Sequence, residues 1–383
     1  MIQPIEPVNL LAALQALLGG RVLLRMARTA AGSKIAPPTD QAAPHKCISV
    51  VVPVLDERRR LAPCLEGLLS QGCEVREILV VDGGSRDGTQ TLVNSFAERD
   101  QRVHLIDASP VPEGWNGKAW GLQVGLDHSS SDSEWLLTID ADVRPARALA
   151  VALLQMAHSR ELDGLSVATR QELADAALGL LHPSLLTTLV YRYGIPGSEF
   201  DSWREVQANG QCFLVRRAAL LRYGGFGPVR ASLCEDITLA RHLVISGCRL
   251  GFYEAGDLAC VEMYQSWREA WQGWTRSLPM RDQFSNGYGK LCEVTLVQAL
   301  PMPLLALLAA LRSRRRALLL INVALVAVRL GVLAGTARAY RQRPWTYWLS
   351  PMCDLAVAAK LWSSALRRRH FWRGRQLIQM RSL

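Results

Sequence analysis

The stretch Trp135-Leu136-Leu137-Thr138-Ile139-Asp140-Ala141-Asp142 decides the fold and the chemistry that we expect of this chain. Five residues suited to a buried strand lead into two carboxylates one residue apart. Residues i and i+2 of an extended chain point to the same side, so Asp140 and Asp142 can face one point just beyond the strand. Paired carboxylate oxygens suit Mg²⁺ or Mn²⁺, and such a cation suits a diphosphate. An ordinary Asp-rich turn is the alternative interpretation.

Strands and helices alternate on the N-terminal side of this stretch. The predicted strands are residues 47–54, 77–81, 102–106 and 135–139, and the predicted helices are residues 61–70, 89–99 and 118–128. This alternation predicts an α/β fold with a mostly parallel sheet and helices on both faces. In such sheets ligands bind beyond the carboxyl ends of the strands. Glu57, Asp82 and the pair Asp140/Asp142 each follow a strand, so we expect them to share one site.

The pattern loosens after Asp142. We predict helices at residues 147–157, 178–193 and 237–246, and strands at residues 165–169 and 208–215. The helix at 178–193 is apolar, which suits an acceptor-side or membrane-facing position. Glu235 and Asp236 open the helix at 237–246. Carboxylates are favoured in the first turn of a helix on electrostatic grounds alone, so a purely structural role is the alternative to a catalytic one.

The charge of the 383-residue chain is unevenly placed. The net charge is +10, and mean hydropathy is +0.08 with 49% hydrophobic residues. Residues from Leu311 onward carry +14 and the remainder −4. Arginine interleaved with apolar residues indicates attachment to an anionic membrane surface. Nucleic-acid binding is disfavoured because no recognition motif accompanies the charge.

The nine cysteines show no metal-type CxxC spacing, which argues against a zinc site. They fit buried thiols in a reducing compartment. Together with the Arg-rich apolar tail, this predicts a membrane-associated protein with its catalytic domain on the cytoplasmic side.

We divide the chain into three regions. Residues 1–46 form an N-terminal membrane-associated helix (8–26) and a linker, 47–290 a catalytic domain, and 291–383 an apolar, Arg-rich membrane-associated helical region. The apolar segments of the last region are residues 294–311, 317–337 and 345–366. A buried helix is the alternative for 8–26, and whether the C-terminal tail crosses the bilayer or lies along it stays open.

Several stretches resemble the family-2 glycosyltransferases. They are VVPVLDE (51–57), VVDGGSRDGT (80–89), DAD (140–142) and CEDITLARHL (234–243), in the order that the family shows. The resemblance implies the GT-A fold. Asp56 stands where the family usually has Asn, and Gly83 replaces a second Asp, so base selectivity is not implied. PEGWNGKAWG (112–121), ANGQCFLVRRAALLRYGGF (208–226) and WRGR (372–375) resemble membrane-bound members that glycosylate polyisoprenoid lipids, above all carotenoid (myxoxanthophyll) glycosyltransferases of cyanobacterial type.

The resemblance also implies roles for individual residues. Nucleotide-sugar binding falls to Pro53, Glu57, Asp82, Lys118, Asp140 and Arg276, the last by analogy alone. Asp142 is the favoured metal ligand, with Asp140 contacting ribose or metal. Asp236 is the general base and Glu235 its runner-up. Asp82 as a turn cap and Lys118 as a solvated lysine are the alternatives. An aspartate at its ordinary pKa of about 4 is a weak base for a hydroxyl at neutral pH.

We therefore predict an inverting glycosyltransferase that depends on Mg²⁺ or Mn²⁺. It moves a sugar from a nucleotide-sugar donor to a hydroxyl of a membrane lipid, with a carotenoid favoured. A polyprenyl phosphate, hopanoid or other lipid acceptor is the alternative. A catalytically silent nucleotide-sugar-binding membrane protein is the alternative of another class. Residues 265–277 lack the QxxRW motif of processive members, which favours the addition of one or a few sugars. Trp267, Trp271 and Trp274, at helical spacing, fit either a sugar or polyene groove or ordinary core packing.

Overall fold

The computed structural model describes residues 7–38, 45–278, 316–366, 369–372 and 375–378, together with residues 292 and 311. The predicted segment 294–311 lies outside the described residues except for Leu311, and so does part of the motif at 372–375.

Helices and strands alternate through the first half of the chain, as the sequence pattern predicts. The helices are α1 Pro7–Thr29, α2 Arg58–Leu69, α3 Thr89–Ala97, α4 Gly117–His128, α5 Leu149–Ser159, α6 Ala176–Tyr193, α7 Arg217–Arg222, α8 Glu235–Ile245, α9 Trp267–Ser277, α10 Arg316–Thr336 and α11 Asp354–Leu366. The strands are β1 Ile48–Val54, β2 Val75–Asp82, β3 Val103–Asp107, β4 Trp135–Ile139, β5 Val143–Pro145, β6 Gly164–Gln171, β7 Ser198–Glu199, β8 Cys212–Arg216, β9 Leu250–Val261, β10 Arg369–Trp372 and β11 Arg375–Ile378. Short 3₁₀ helices cover Gly227–Val229, Ala337–Ala339 and Trp345–Cys353.

Nine strands form one sheet in the order β3-β2-β1-β4-β8-β6-β9-β5, with β7 paired to β9. Strands β3, β2, β1 and β4 are parallel neighbours. Strand β8 is antiparallel to both β4 and β6, and β9 is parallel to β6. Six of these nine strands therefore run in one direction, and the predicted α/β fold with a mostly parallel sheet is confirmed. The carboxyl ends of β1, β2 and β4 lie at the same edge of the sheet.

The sheet is buried on both faces, which explains the continuous apolar run of β1. Val50, Val52 and Val54 pack into the cluster that contains the apolar residues of α2, α3 and α5. Val51 packs on the other face, with the residues of α4, α7 and α8. Helix α4 lies very close to β1, because a Cβ at Gly125 would come within 2.3 Å of Val51 Cγ1. Gly125 thus allows α4 to pack closely on this face of the sheet.

Helices α1 and α10 pack against each other beside this domain. By length and composition, Asn9–Thr29 and Arg316–Ala339 are apolar enough to cross a membrane. Two polar residues join them: Gln15 and Asn322 exchange hydrogen bonds of 3.1 and 3.0 Å. Arg329 forms a fully buried ion pair of 2.8 Å with Asp354 at the start of α11. Gln15, Asn322 and Arg329 are therefore each paired with a polar side chain, as buried polar groups require.

Candidate functional site

Two loops at the ends of β1 and β2 are joined by hydrogen bonds. The backbone N–H of Arg86 donates to Asp56 (2.8 Å), and the N–H of Glu57 donates to the Thr89 hydroxyl (3.0 Å). Asp56 has a φ of 54°, a left-handed conformation that Asn and Asp tolerate better than most residues. The loop geometry thus explains why an aspartate is acceptable at this position.

Asp82 organises the loop after β2 from within. Its carboxylate accepts hydrogen bonds from the backbone N–H groups of Gly84 (3.3 Å) and Ser85 (3.0 Å), from the Ser85 hydroxyl and from the Gln90 amide (2.6 Å). The side chain is 1% exposed. Asp82 therefore has the geometry of the turn cap that we gave as the alternative to nucleotide binding, and its predicted contact with the donor remains a prediction.

Asp140 and Asp142 follow β4 as predicted. The Asp140 N–H donates to Gln211 O (3.1 Å), and its carbonyl accepts from Val143 N–H (3.1 Å). This turn leads into the short strand β5 and directs both carboxylates toward the edge of the sheet.

Lys118 lies in the first turn of α4 and joins carboxylates from two elements. Its Nζ lies 2.7 Å from Asp140 Oδ1 and 3.0 Å from Glu235 Oε1. Asn116, just before the helix, donates to Ser232 O (2.9 Å) in the segment that leads into α8. The start of α4 is therefore tied to the start of α8. The solvated lysine that we considered as an alternative is wrong.

Asp236 is held in the first turn of α8 by two backbone donors. Its Oδ2 accepts from Gly210 N–H and its Oδ1 accepts from Ile237 N–H, both at 2.8 Å. A Cβ at Gly210 would lie 2.9 Å from Lys118 Nζ and 3.3 Å from the Asp236 side chain. Only glycine gives Lys118 and Asp236 this space. A carboxylate that only interacts with the helix dipole does not need two oriented hydrogen bonds. The Asp236 side chain is therefore held more firmly than that structural role requires.

One cleft of about 710 Å³ collects most of the predicted site residues. Those that line it are Pro53, Glu57, Lys118, Asp140, Asp142, Glu235 and Asp236. Asp82 does not line it, although the following Gly83 does. The side chain of Arg276, in α9, lies outside the described residues. Residues separated by almost two hundred positions in the chain thus converge on one cavity.

The sequence analysis assigned no role to several other lining residues. Arg60 of α2 pairs with Glu269 of α9 at 2.6 Å and closes one side of the cleft. Asn209, Gly210 and Gln211 precede β8, and the Asn209 amide donates to Gln211 Oε1 (2.8 Å). The sequence signal for residues 209–211 is a run of three polar or glycine residues directly before a buried strand. The pairing of Arg60 with Glu269 has no local signal, because the two residues are far apart in the chain.

Burial changes the acidity of two carboxyl groups in the cleft. Burial, and then the charges of Asp140 and Glu57, raise the pKa of Asp142 to about 7. Burial, and then Glu235, raise the pKa of Asp236 to about 6, against the lowering effect of Lys118. Burial alone would lower the pKa of Lys118, but Asp140, Glu235 and Asp236 together hold it well above its usual value. The assumption of an ordinary pKa for Asp236 is therefore wrong, and its carboxylate is a stronger base than we expected.

The carboxylates of the cleft fit a divalent cation. Asp142 Oδ1 is buried and has no hydrogen-bond partner among the described residues. Seven carboxylates and four cationic side chains line the cleft, and each of the four cations is already paired with a carboxylate. The described residues contain no group of three or more His, Cys, Asp or Glu side chains arranged around one metal position. Asp140 and Asp142 therefore suit a cation that takes its remaining ligands from a bound diphosphate or water.

One part of the cleft lining is apolar. It is formed by Met26 of α1, by Leu186 and Leu189 of α6, and by Gly331, Val332 and Gly335 of α10. Of the three tryptophans on α9, Trp274 lines the cleft and stacks on His182 with ring centroids 4.2 Å apart. Trp271 packs against Leu178 and Leu361 and lies under Lys360, and Trp267 is 45% exposed. One tryptophan therefore faces the cleft and one has the core-packing role that we gave as the alternative.

Known proteins with similar sequences are glycosyltransferases. The family model of glycosyl transferase family 2 matches residues 49–224. The probable glycosyltransferase YdaM of Bacillus subtilis is 24% identical over 232 residues, which cover 60% of this chain and 54% of that protein. A 4,4'-diaponeurosporenoate glycosyltransferase of Staphylococcus aureus is 25% identical over 239 residues, 61% of each chain. The matched part of this chain thus spans about half of the length of these curated relatives.

A solved structure shows the same fold over nearly the whole chain. The mannosyltransferase PcManGT from Pyrobaculum calidifontis, in complex with GDP-Man and Mn²⁺, superposes with a TM-score of 0.54 at 20% identity. The superposition covers 93% of this chain and 99% of the mannosyltransferase. Residues 49–224 of this chain therefore match the model of glycosyl transferase family 2, and the chain shares the GT-A-type fold of the mannosyltransferase.

Proposed function

We propose that this protein is an inverting, metal-dependent glycosyltransferase that moves a sugar from a nucleotide-sugar donor to a hydroxyl group of a membrane lipid. One observation carries the proposal: Asp140 and Asp142 from β4, and Glu235 and Asp236 from α8, line one cleft with Lys118 between them. Metal-binding and proton-accepting carboxylates in a single cavity are what glycosyl transfer from a nucleotide donor needs.

The donor side lies at the ends of β1 and β4. Pro53 and Glu57 form one wall for the nucleotide, while Asp82 keeps the adjoining loop in shape. Asp140 and Asp142 would hold a divalent cation, and that cation, when bound, stabilises the charge of the departing diphosphate. The orphaned Asp142 Oδ1 supports this assignment. The structural relative PcManGT was solved with GDP-Man and Mn²⁺, which is consistent with it.

The acceptor side is served by Asp236. Its two backbone hydrogen bonds leave each carboxylate oxygen able to accept one more, so it can take a proton from an acceptor hydroxyl. Its raised pKa lets it hold that proton better than an ordinary aspartate. Glu235 is only 8% exposed and is paired with Lys118, so it is the less suitable base. A single base on the acceptor side suits direct displacement with inversion at the anomeric carbon.

The apolar end of the cleft and the helices beside it support a lipid acceptor. Helices α1 and α10 are long and apolar enough to cross a membrane. Trp345 and Trp348 follow α10 and are 73% and 53% exposed, as tryptophans at a membrane interface are. A relative of this chain bears the name 4,4'-diaponeurosporenoate glycosyltransferase, and a hydroxylated carotenoid is the acceptor that we favour. The catalytic domain is proposed to lie on the cytoplasmic side.

The direct test is a screen of nucleotide sugars with the full chain in lipid vesicles, Mn²⁺ and an extract of polar lipids and carotenoids, with products detected by mass. The proposal predicts glycosides of hydroxylated lipids, retention of donor binding in Asp236→Asn and loss of product in that variant. Nucleotide-sugar binding with neither transfer nor hydrolysis for any donor would instead identify the silent binding protein. Products found only on polyprenyl phosphates would assign the alternative acceptor.

A further inference from the structure

The lining of the cleft includes both the catalytic carboxylates and residues of the long apolar helices α1 and α10. We call the part lined by Met26, Leu186, Leu189, Gly331, Val332 and Gly335 the apolar branch. Asp140 and Asp236 line the same cavity. The full volume is about 710 Å³. Since pockets for drug-sized ligands hold roughly 300–1,000 Å³, this one suits a donor plus the hydroxyl end of an acceptor, but not a whole long-chain lipid.

The walls of the apolar branch belong to helices whose outer faces suit a bilayer. Leu17 and Leu24 of α1, and Leu320 and Val323 of α10, are about half exposed or more. Exposed leucine and valine on long apolar helices fit contact with lipid tails. A molecule that rests in the bilayer therefore meets the branch where α6 and α10 approach each other.

Charge in the cleft selects against a phosphorylated acceptor. Two arginines line the cleft and are paired with carboxylates. Arg170 pairs with Asp257, and Arg338 pairs with Glu254. Arg60 and Lys118 pair with Glu269 and Asp140. Among the residues that the structure describes, every cation of the cleft is thus neutralised. A phosphorylated acceptor would add negative charge to a cavity rich in carboxylates, in which the proposed cation already serves the diphosphate of the donor, whereas a neutral hydroxyl would not.

Two glycines of α10 line the apolar branch. A Cβ built at Gly331 or at Gly335 has no heavy atom within 4 Å, and both residues line the cleft. Glycine is unfavourable within a helix by about 1 kcal/mol relative to alanine. Both glycines are exposed, so a side chain added at either position would enter open space at the surface of α10.

We propose that an uncharged, long-chain lipid alcohol enters the cleft between α6 and α10, with its apolar chain along Gly331 and Gly335 and its hydroxyl group directed to Asp236. This inference rests on the proposed function and adds the route, the position of the chain and the charge of the acceptor. The remainder of the lipid stays in the bilayer.

The test fills the branch without changing the catalytic carboxylates. The variants Gly331→Trp and Gly335→Trp place a large side chain in open space, so they are expected to fold. Gly20→Trp is the matched control, because Gly20 lies on α1, has no atom within 4 Å of a built Cβ and does not line the cleft. Each protein is assayed in phosphatidylcholine vesicles for donor hydrolysis, and for transfer to geranylgeraniol, to its monophosphate and to the short alcohol prenol.

Wild type should prefer geranylgeraniol to prenol and to the monophosphate. The two tryptophan variants should lose about tenfold or more of transfer to geranylgeraniol, while donor hydrolysis and transfer to prenol stay within about twofold. Gly20→Trp should behave like wild type. Unchanged transfer to geranylgeraniol in both tryptophan variants, or preferred transfer to the monophosphate, would overturn the inference.

Self-association of α10 is a competing role for the two glycines. Gly331 and Gly335 have the spacing at which two membrane helices can pack together. A wild-type dimer that both tryptophan variants dissociate, with transfer lost in parallel, would assign the glycines to self-association and contradict the lipid route. Absence of donor hydrolysis and of any transfer in wild type would overturn the proposed function itself, and this inference with it.

Discussion

The ammonium group of Lys118 lies 2.7 Å from Asp140 Oδ1, and the same group lies 3.0 Å from Glu235. One side chain from the start of α4 therefore connects the carboxylates after β4 with those at the start of α8. In the proposed reaction these are the donor and the acceptor sides. Lys118 is thus placed to position both sides relative to each other, in addition to its predicted role near the diphosphate.

Replacement of Lys118 should change the pH dependence of the reaction as well as its rate. The charge of Lys118 lowers the pKa of Asp236. Loss of a nearby opposite charge raises a carboxyl pKa by about one unit or more. In Lys118→Met the acidic limb of the rate profile should therefore move to higher pH by about one unit, together with a lower maximal rate. Lys34→Met, which removes an ion pair of 3.5 Å with Glu254, is the control and should leave the profile in place. An unshifted profile for Lys118→Met would exclude its influence on Asp236.

Activity should rise with pH around the pKa of Asp236. The carboxyl pKa is raised to about 6, so the group is protonated and inactive as a base below that pH. The rate constant kcat should increase about tenfold per pH unit below about pH 6 and level off above it.

Asp236→Asn should lower transfer by roughly 10²–10⁴-fold while keeping donor affinity, because amide and carboxyl have nearly the same shape. Rapid-quench measurement of sugar transfer at saturating donor checks both points. Full transfer by Asp236→Asn would reject Asp236 as the base.

Asp142 should lower the stability of the protein before it binds a cation. Its pKa is 3.8 in the unfolded reference and about 7 in the folded protein, so the folded state binds the proton more tightly. The cost of ionising it grows as pH rises from 3.8 through about 7 and is complete above that range. Asp142→Asn should therefore stabilise the metal-free protein by about 2 kcal/mol at alkaline pH, and by almost nothing below the unfolded pKa. This figure is smaller than the full shift implies because the residue is only half-buried.

The same variant should lose the response to metal. Mn²⁺ should raise the melting temperature of wild type in the presence of nucleoside diphosphate, and it should not do so for Asp142→Asn. Asp132→Asn is the control, since Asp132 is 72% exposed and makes only a 3.6 Å pair with Arg76. Denaturation of wild type and of the two variants at several pH values, with and without Mn²⁺, checks whether Asp142→Asn stabilises the metal-free protein. A less stable metal-free Asp142→Asn at alkaline pH would contradict the account.

Gly210 should tolerate no side chain. A Cβ there would lie 2.9 Å from Lys118 Nζ and 3.3 Å from the Asp236 side chain, so one of these groups must move. Displacement of a catalytic group by a fraction of an ångström to one ångström can cost up to about a hundredfold in rate. Gly210→Ala should therefore reduce transfer by roughly ten- to a hundredfold with little change in melting temperature. Gly227→Ala, where a Cβ meets no atom within 4 Å, should be neutral in both measurements.

Local patterns predicted the strands that carry the site well, because these strands are buried on both faces and end in acidic residues. The predicted strand 135–139 coincides with β4, and Asp140 and Asp142 follow it as expected. Glu235 and Asp236 open α8 as the sequence indicates. Lys118, at the start of the predicted helix 118–128, was also singled out as a residue of the site.

Features that depend on distant pairing could not be predicted in the same way. Hydrophobic alternation does not encode the direction of a strand, so the antiparallel insertion of β8 between β4 and β6 was not foreseen. The ion pair of Lys118 with Glu235 and that of Arg60 with Glu269 join residues over one hundred positions apart. The raised pKa of Asp236 follows from burial, which a sequence motif alone does not reveal.

The central claim is that Asp140, Asp142 and Asp236 act on one cation and one activated sugar in a shared cleft. Nucleotide release from the donor, measured for the full chain in vesicles with Mn²⁺ and then with EDTA, tests this claim most directly. The account predicts release that needs Mn²⁺, is lost in Asp142→Asn, and accelerates with a lipid alcohol only when Asp236 is intact. Equal release in EDTA and in Mn²⁺, with Asp142→Asn as active as wild type, would contradict it.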